Sequence, residues 1–288
     1  MPPTGPRTES ESSRDALGGK SPAPGGRPRP APGKLHRRRL RRTQRLFSYD
    51  RSLGSRFVAG CDEAGRGSLA GPLVAAAVLL DYETLSLSDR RSLAGLHDSK
   101  QMTPERREEI YPCVIRAASR VSVIVRAAPG IDGRGLHVTN LDALGRALER
   151  VRPEGAICLV DGFRLGNRCA VPHRAVVEGD GTSAAIAAAS IIAKVTRDRY
   201  MHRAGASYPG WGFDENVGYS TPEHREAITR LGICAIHRRS FASVAYRQLE
   251  LAGGAGSEGV DEVLVVADGA VAADGHADHV EADLREAG

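Results

Sequence analysis

The sequence predicts an α/β protein in which helices cover a mixed β-sheet. Apolar, β-branched segments typical of buried strands come first in the chain, and segments with helical spacing are interleaved with them later. This order differs from the regular alternation that builds a purely parallel sheet. The 288 residues, 41% of them hydrophobic, are enough for one sizeable core with tails.

Five segments have the composition of strands. The first two are apolar runs bounded by glycine, and the sequence DEAGRGSLAGP separates them. Together the five predicted strands cover residues 57–61, 73–80, 121–127, 156–160 and 173–177.

Four segments are predicted helices. Thr103 as the cap and Pro104 in the first turn begin one helix. Residues 140–151 carry apolar side chains at the spacing of a helix that lies on a sheet. A long Ala- and Ile-rich helix follows Gly181, and Thr221 with Pro222 begins the last helix.

The two ends of the chain carry opposite charge. Residues 1–51 contain 13 Lys and Arg against 4 Asp and Glu, whereas residues 252–288 contain 1 against 9. We predict a disordered basic arm at 1–51, a catalytic domain at 52–251 and a disordered acidic tail at 252–288. The arm either attracts polyanions or only keeps the chain in solution, and both interpretations stay open.

Composition excludes several classes of protein. No run of about 18 apolar residues exists and the N-terminus has no apolar signal core, so we expect a cytoplasmic protein without a membrane span. The five cysteines are widely spaced and form no CxxC pair, which argues against a disulfide framework and against a zinc site.

Acidic residues recur where predicted strands end. Asp62 and Glu63 follow the first strand, Asp161 follows the fourth, and Asp180 lies just past the fifth. Carboxylates that converge there would repel one another unless a cation neutralised them, and oxygen ligands suit Mg²⁺ or Mn²⁺. Since neighbouring strand residues point to opposite faces, Asp62 and Glu63 share one cluster only if the chain leaves the pleat. The alternative is that each acid is a turn or cap residue.

Three further positions are weaker candidates for contact with a substrate phosphate. Lys100 lies in the Asp-Ser-Lys sequence before a predicted helix, where a loop with local hydrogen bonds is the alternative. Ser190 and Lys194 lie one turn apart on the long helix, and an exposed pair of Lys194 with Asp198 explains that spacing equally well.

The segment Gly65-Arg66-Gly67 formally fits a dinucleotide-binding pattern. That pattern must begin a helix, yet Gly71-Pro72 and an apolar strand-like run follow here, which argues against it. Glycines beside an arginine instead allow close approach of a sugar-phosphate chain.

Taken together, the chain resembles ribonuclease HII from about residue 57 to about residue 244. Six blocks in the family's order carry the resemblance: VAGCDEAGRGSLAGPLVAAAVLL, HDSKQMTPERREEIY, LVDG, EGDGTSAAIAAASIIAKVTRDRYM, VGYSTPEHREAITRLG and IHRRSFASV. The resemblance implies a ribonuclease H-like fold, with a five-stranded mixed sheet flanked by helices and a helical C-terminal extension.

The resemblance also implies the site. Four acidic metal ligands carry over to Asp62, Glu63, Asp161 and Asp180, with two Mg²⁺ or Mn²⁺ ions about 4 Å apart. Gly65, Arg66 and Gly67 would sense the ribose 2′-hydroxyl at an RNA-to-DNA junction. Tyr219 would pack on the next deoxyribose. Arg238 and Arg239 could bind phosphates, with an exposed basic pair as the alternative.

Two positions depart from the family's pattern. Glu178 and Val217 stand where the family usually has lysine, which removes two positive charges but no metal ligand. Residues 1–51 look too polar to form the folded N-terminal domain of the related type III enzymes, so type II is the better match.

The resulting hypothesis is a monomeric, metal-dependent endoribonuclease. It would cut the RNA strand of RNA/DNA hybrids and the bond 5′ to a single ribonucleotide in duplex DNA, leaving 3′-hydroxyl and 5′-phosphate ends. The alternatives are another two-metal nuclease of this fold, a catalytically silent hybrid-binding protein, and an NAD-binding protein.

Overall fold

The computed structural model describes residues 32–96, 99–241 and 264–268. It describes the side chains of these residues except for 32–39, Lys100 and 264–268. The helices are α1 (Pro32–Ser52), α2 (Leu87–Ser92), α3 (Pro104–Ala117), α4 (Ala128–Arg134), α5 (Leu136–Val151), α6 (Ala184–Ser207), α7 (Phe213–Asn216) and α8 (Pro222–Leu231). The strands are β1 (Phe57–Ala64), β2 (Leu73–Asp81), β3 (Arg120–Arg126), β4 (Ile157–Asp161), β5 (His173–Val176) and β6 (Leu264–Asp268).

The sheet is mixed, as the sequence predicts, and its strand order is β5-β4-β1-β2-β3-β6. Strands β4 and β5 run parallel to β1, whereas β2 is antiparallel to both β1 and β3. The five predicted strands and the ribonuclease H-like fold are confirmed. Because β2 follows the glycine-rich segment directly, no helix begins there and the dinucleotide-binding interpretation fails.

Two helices cover opposite faces of the sheet. Even-numbered side chains of β1 and β2, such as Val58 and Val74, pack with α6 in one apolar cluster. Odd-numbered side chains, such as Ala59 and Cys61, pack with α5 in a second cluster. This division follows from the two-residue period of a strand. Each face of the sheet therefore has its own helix and its own set of buried residues.

Helix α6 lies unusually close to β1 at Gly60. A Cβ atom at this position would come within 2.3 Å of the Ala185 carbonyl carbon and of the Ile186 backbone nitrogen. Only glycine permits this approach, so the first turns of α6 rest directly on the strand. The same helix brings Ser190 within hydrogen-bond reach of Asp62 near the end of β1.

The prediction of a disordered basic arm is wrong for the second part of residues 1–51. Residues 32–51 belong to α1, whose Leu46 and Phe47 are buried in the core and whose Asp50 contacts α6. Local composition favours disorder there, but apolar residues on one face of a helix gain stability by packing on a neighbour. The prediction for residues 1–31 lies outside the described residues.

The predicted acidic tail needs a smaller correction. Leu264–Asp268 pairs antiparallel with β3 as a sixth strand, and it is the outermost strand on the β3 side of the sheet. The sequence LVVAD has the composition of a strand, although the surrounding Ala, Gly and Asp obscure it. The rest of the 252–288 prediction lies outside the described residues. Among the described helices, none is long and apolar enough to cross a membrane.

Candidate active site

Asp62 is the most deeply buried acid of the predicted set. It lies in β1 opposite Ala76 of β2, on the face that α6 covers, and only 3% of it is exposed. Burial raises the pKa of the Asp62 carboxyl well above its usual range, and the charges of Glu63 and Asp161 raise it further. A hydrogen bond with Ser190 of α6 acts in the opposite direction. The structure therefore places at least two other carboxylates close to a buried one.

Glu63 does not leave the pleat as the shared-cluster hypothesis requires. Regular pairing continues beyond it to Ala64, with Glu63 opposite Ala75. The two acids therefore start from opposite faces of β1, yet the charge of Glu63 still acts on the Asp62 carboxyl, so the condition that the chain must leave the pleat is wrong. The Glu63 amide donates to Asp62 Oδ1 at 2.7 Å, so the Asp62 carboxylate turns back toward the strand.

Asp161 ends β4, which runs parallel to β1 in register, with Val160 beside Cys61. Its Oδ1 atom accepts a hydrogen bond of 2.7 Å from the Gly179 amide. This bond ties the short 3-10 turn Gly179–Gly181, which contains the buried Asp180, to the end of β4. The carboxyl ends of β1 and β4 form one edge of the sheet. Along this edge lie Asp62, Glu63, Asp161 and Asp180, as the pattern of strand ends predicts.

The carboxylates of this edge have the chemistry of a hard-cation site. In the part of the chain that the structure describes, no group of three or more His, Cys, Asp or Glu side chains stands close enough to hold a metal ion. Asp62 and Asp161 instead accept hydrogen bonds from backbone amides. The donors are all oxygens, and the charges of Glu63 and Asp161 act on Asp62, which is the donor chemistry that hard cations such as Mg²⁺ or Mn²⁺ prefer.

Gly65 and Arg66 lie in the loop between β1 and β2, beside this edge. Gly65 has φ of +83°, and a Cβ atom there would lie 2.0 Å from Arg197 Nε, so a larger residue does not fit. Arg66 is half-buried, and its guanidinium lies 4.4 Å from the centre of the Phe163 ring. Gly67 is exposed. The loop therefore places Arg66 against Phe163, which lies two residues after Asp161.

Tyr219 is joined to the same loop through the backbone. The Gly218 carbonyl accepts hydrogen bonds from the amides of Leu69 and Ala70, at 2.8 and 3.2 Å. The half-buried Tyr219 ring has Lys194 Nζ at 5.1 Å and the Arg197 guanidinium at 5.0 Å from its centre. The structure thus brings Tyr219 and the Gly65-Arg66-Gly67 segment together.

The weaker candidates have different surroundings. Ser190 is buried and lies 2.7 Å from the Ser99 hydroxyl, so it contacts Asp62 and the Ser99 turn. Lys194 pairs with Asp198 at 2.7 Å, as the alternative proposes, but both side chains are largely buried rather than exposed. Lys100 lies in the 3-10 turn Ser99–Gln101, and its side chain is not described. Its role stays a prediction.

Arg238 does not have the role suggested for it as a phosphate contact. It is fully buried, and its guanidinium donates to the carbonyl oxygens of Arg66 and Gly71, each at 3.0 Å. The Arg239 amide donates to Asp132. A pair of adjacent arginines in sequence gives no sign of burial, because charged residues are usually exposed.

Sequence reasoning missed Phe163 and Arg197. Phe163 follows Asp161-Gly162 and contacts Arg66, while the buried Arg197 donates to Pro72 O, Ala70 O and Ser68 Oγ. A signal for Arg197 existed, since it lies on the Ala-rich face of α6 among buried positions. The departures Glu178 and Val217 are the non-glycine residues with positive φ in the described ranges, at 50° and 42°.

Residues 59–244 match the family model described as ribonuclease HII. The chain belongs to the ribonuclease HII family. A ribonuclease HII of Nocardia farcinica is 46% identical over 232 residues, which cover 80% of this chain and 87% of that relative. The ribonuclease H2 structure from Pyrococcus horikoshii has a TM-score of 0.56 and 28% identity, and it covers 68% of this chain and 97% of that one.

A third similarity concerns the fold alone. The crystal structure of Bst-RNase HIII in complex with Mn²⁺ is 22% identical, with a TM-score of 0.51, and it covers 63% of each chain. Membership of the ribonuclease HII family makes this protein an endoribonuclease, a divalent-metal-dependent hydrolase that degrades RNA in RNA/DNA hybrids.

Proposed function

We propose that this enzyme cuts the phosphodiester 5′ to a single ribonucleotide in duplex DNA, as well as the RNA strand of hybrids, and leaves 3′-hydroxyl and 5′-phosphate ends. Asp62, Glu63, Asp161 and Asp180 would hold Mn²⁺ or Mg²⁺. The observation that carries the metal assignment is geometric: Asp62 and Asp161 lie at the ends of neighbouring parallel strands, and the turn that contains Asp180 is bonded to Asp161 Oδ1. The charges of Glu63 and Asp161 act on the buried Asp62 carboxyl. A divalent cation would offset that repulsion.

The acids would have unequal roles. Asp62 and Asp161 lie on neighbouring parallel strands and are the central ligands in this proposal, with Glu63 and Asp180 flanking them. Bound divalent ions would activate a water molecule and stabilise the leaving 3′-oxygen. The Mn²⁺ in the Bst-RNase HIII structure supports a divalent ion in this fold. All four acids come from one chain, so we propose that the enzyme works as a monomer.

The protein residues beside the acids would select the substrate. The 2′-hydroxyl is the group that separates RNA from DNA, and backbone atoms of Gly65 and Gly67 with the Arg66 guanidinium can approach it closely. The aromatic face of Tyr219 beside the next sugar would crowd a second hydroxyl. The backbone hydrogen bonds from Leu69 and Ala70 to Gly218 support this division of roles. They hold the Arg66 loop and the Tyr219 segment next to each other.

Cleavage of three labelled duplexes tests the proposal. One contains a single ribonucleotide, one is a uniform RNA/DNA hybrid, and one is all DNA, each incubated with EDTA, Mg²⁺ or Mn²⁺. We expect a metal-dependent cut 5′ to the ribonucleotide and no cut in all-DNA duplex. Cleavage of all-DNA duplex would indicate another nuclease of this fold. Binding without any cleavage would indicate a silent hybrid-binding protein.

Variants connect the cut to the residues. Asp62→Asn and Asp161→Asn should abolish cleavage of both ribonucleotide substrates, whereas Asp214→Asn, a matched change of an exposed acid in α7, should leave it unchanged. Tyr219→Ala should lower the rate on the single-ribonucleotide duplex more than the rate on the hybrid. Full activity of Asp62→Asn would remove the metal assignment, and an unchanged substrate ratio for Tyr219→Ala would remove the junction role.

A further inference from the structure

The segment His237-Arg238 is connected to both elements that the proposed function assigns to substrate selection, directly to the Arg66 loop and through His224 to Tyr219. The Arg238 guanidinium donates to the Arg66 and Gly71 carbonyls, each at 3.0 Å, and its amide donates to the Leu69 carbonyl at 2.9 Å. In return the Gly71 amide donates to Ile236, and Ala70 forms a β-bridge with His237. Residues 236–238 therefore run alongside the loop that carries Arg66.

A chain of hydrogen bonds connects His237 to Tyr219. The Cys234 amide donates to His237 Nδ1 at 2.9 Å, so this nitrogen carries no proton. His237 Nε2 then donates to His224 Nε2 at 3.2 Å, and His224 Nδ1 donates to the Tyr219 carbonyl at 2.8 Å. These partners fix the tautomers of both histidines, so the bonds of this chain point from Cys234 toward Tyr219.

Both histidines are held neutral inside an aromatic wall. His224 is fully buried and His237 is 2% exposed, and the Phe213 ring lies 5.4 and 5.6 Å from them. Burial lowers the pKa of both imidazoles, that of His237 to about 3. Neither therefore takes a proton near neutral pH, and the direction of the hydrogen-bond chain is kept.

We propose that His224, His237 and Arg238 form a brace that sets the position of Tyr219 relative to Arg66, and so determines substrate selectivity. This inference rests on the proposed function, since it assumes that Tyr219 and Arg66 contact the sugar pair at the RNA-to-DNA junction. The three residues contact no substrate themselves. They are positioning residues that act through two backbone carbonyls.

A purely structural role makes a different prediction. Loss of a hydrogen bond that leaves a buried partner unsatisfied lowers stability in either case, so a lower melting temperature alone does not separate the two roles. A structural role reduces the rates on both ribonucleotide substrates equally. A positioning role changes their ratio, since Tyr219 would matter most on the single-ribonucleotide duplex.

Two substitutions of similar size at His224 separate the roles. The amide nitrogen of Asn can occupy the position of Nδ1 and keep the bond to Tyr219, whereas that of Gln lies near Nε2 and does not. We expect His224→Gln to lower the ratio of kcat/KM values, single-ribonucleotide duplex over hybrid, by about fivefold, the effect of one lost hydrogen bond. His224→Asn should keep the ratio within about twofold.

The Arg66 side of the brace has its own variant. A lysine at 238 lacks the two separate guanidinium nitrogens, Nε and Nη1, that reach the Gly71 and Arg66 carbonyls, so we expect Arg238→Lys to lower the same ratio. Leu148→Ala is the stability control, because it removes a fully buried side chain of α5 on the other face of the sheet. It should lower the melting temperature and leave the ratio unchanged.

Tyr219→Ala separates the possible failures. If it lowers the ratio and His224→Gln combined with it causes no further loss, the brace acts through Tyr219. If Tyr219→Ala lowers the ratio but neither His224→Gln nor Arg238→Lys does, the brace is overturned and the proposed function stands. If Tyr219→Ala leaves the ratio unchanged, the proposed role of Tyr219 at the junction is overturned. The proposal that His224 acts by positioning Tyr219 is then overturned as well.

Discussion

Asp62 combines two unfavourable conditions for a carboxylate, burial and neighbouring negative charge. Such a residue weakens the folded protein and is retained where it has a chemical use. Its pKa in the folded state lies above that in the unfolded state. Asp62 therefore does not reduce the free energy of unfolding at low pH. The free energy of unfolding falls as the pH rises through the folded-state pKa of Asp62.

Asp62→Asn should therefore stabilise the metal-free protein while it abolishes cleavage. The neutral amide keeps a hydrogen-bonding oxygen but removes the repulsion from Glu63 and Asp161. We expect the free energy of unfolding at pH 7 with EDTA to rise by about 1 kcal/mol or more, measured by urea denaturation. A loss of stability would contradict the electrostatic description of this edge.

His237 predicts the opposite dependence on pH. Its pKa falls from 6.5 to about 3 on folding, so the unfolded chain binds the proton first as the pH falls below 6.5. Between pH 7 and pH 5 the wild-type protein should lose about 2 kcal/mol through this residue. His237→Gln should lose about 2 kcal/mol less over the same range, by urea denaturation at both values. Equal losses in the two proteins would show that His237 is not held neutral.

Helix α1 shows how one polar residue fixes the position of an element. Asp50 Oδ2 accepts hydrogen bonds from the Ala185 amide at 3.0 Å and from the Tyr82 hydroxyl at 2.8 Å. The carboxylate lies at the first turn of α6, where the helix dipole favours a negative charge. Burial nevertheless dominates and raises the pKa of Asp50 to about 6.

Asp50→Ala should destabilise the protein by about 2–3 kcal/mol at pH 7, because the Ala185 amide and the Tyr82 hydroxyl lose their acceptor. Arg45→Ala, an exposed change on the same helix, is the matched control and should cost less than about 0.5 kcal/mol. Chemical denaturation of both variants checks this. If they lose the same stability, α1 is not held to α6 through Asp50.

The sheet brings acids that are separated by about a hundred residues in the chain to one edge. In the absence of metal, their repulsion opposes folding, and a bound cation would favour the folded chain by mass action. The metal-dependent part of the stability is therefore a property of the assembled molecule, since no single strand contains the whole set.

Addition of Mn²⁺ should raise the melting temperature, by about 5 °C or more at a hundredfold excess over the dissociation constant. The Asp62→Asn, Asp161→Asn double variant should show no such rise, and Asp214→Asn should behave as wild type. Calorimetry with and without EDTA measures the difference. A wild-type melting temperature insensitive to Mn²⁺ and Mg²⁺ would argue against an assembled metal site.

The sequence was sufficient for the five strands, the main helices and the grouping of acids at strand ends, because these depend on local periodicity and on the general geometry of sheets. It was insufficient for α1 and β6. The composition around both segments favours disorder, and each forms only by packing or pairing with residues distant in sequence.

The chain's order of residues thus specified which chemical groups exist and the elements that carry them: Asp62 where a strand ends, Asp180 between a strand and a helix, Tyr219 before a helix. Only the tertiary structure decided which of these groups meet and which charges are buried. Arg238 became a buried donor to the Arg66 carbonyl, and His224 a donor to Tyr219. The physical reason is that burial and hydrogen-bond partners are set by contacts between distant segments, which no local pattern contains.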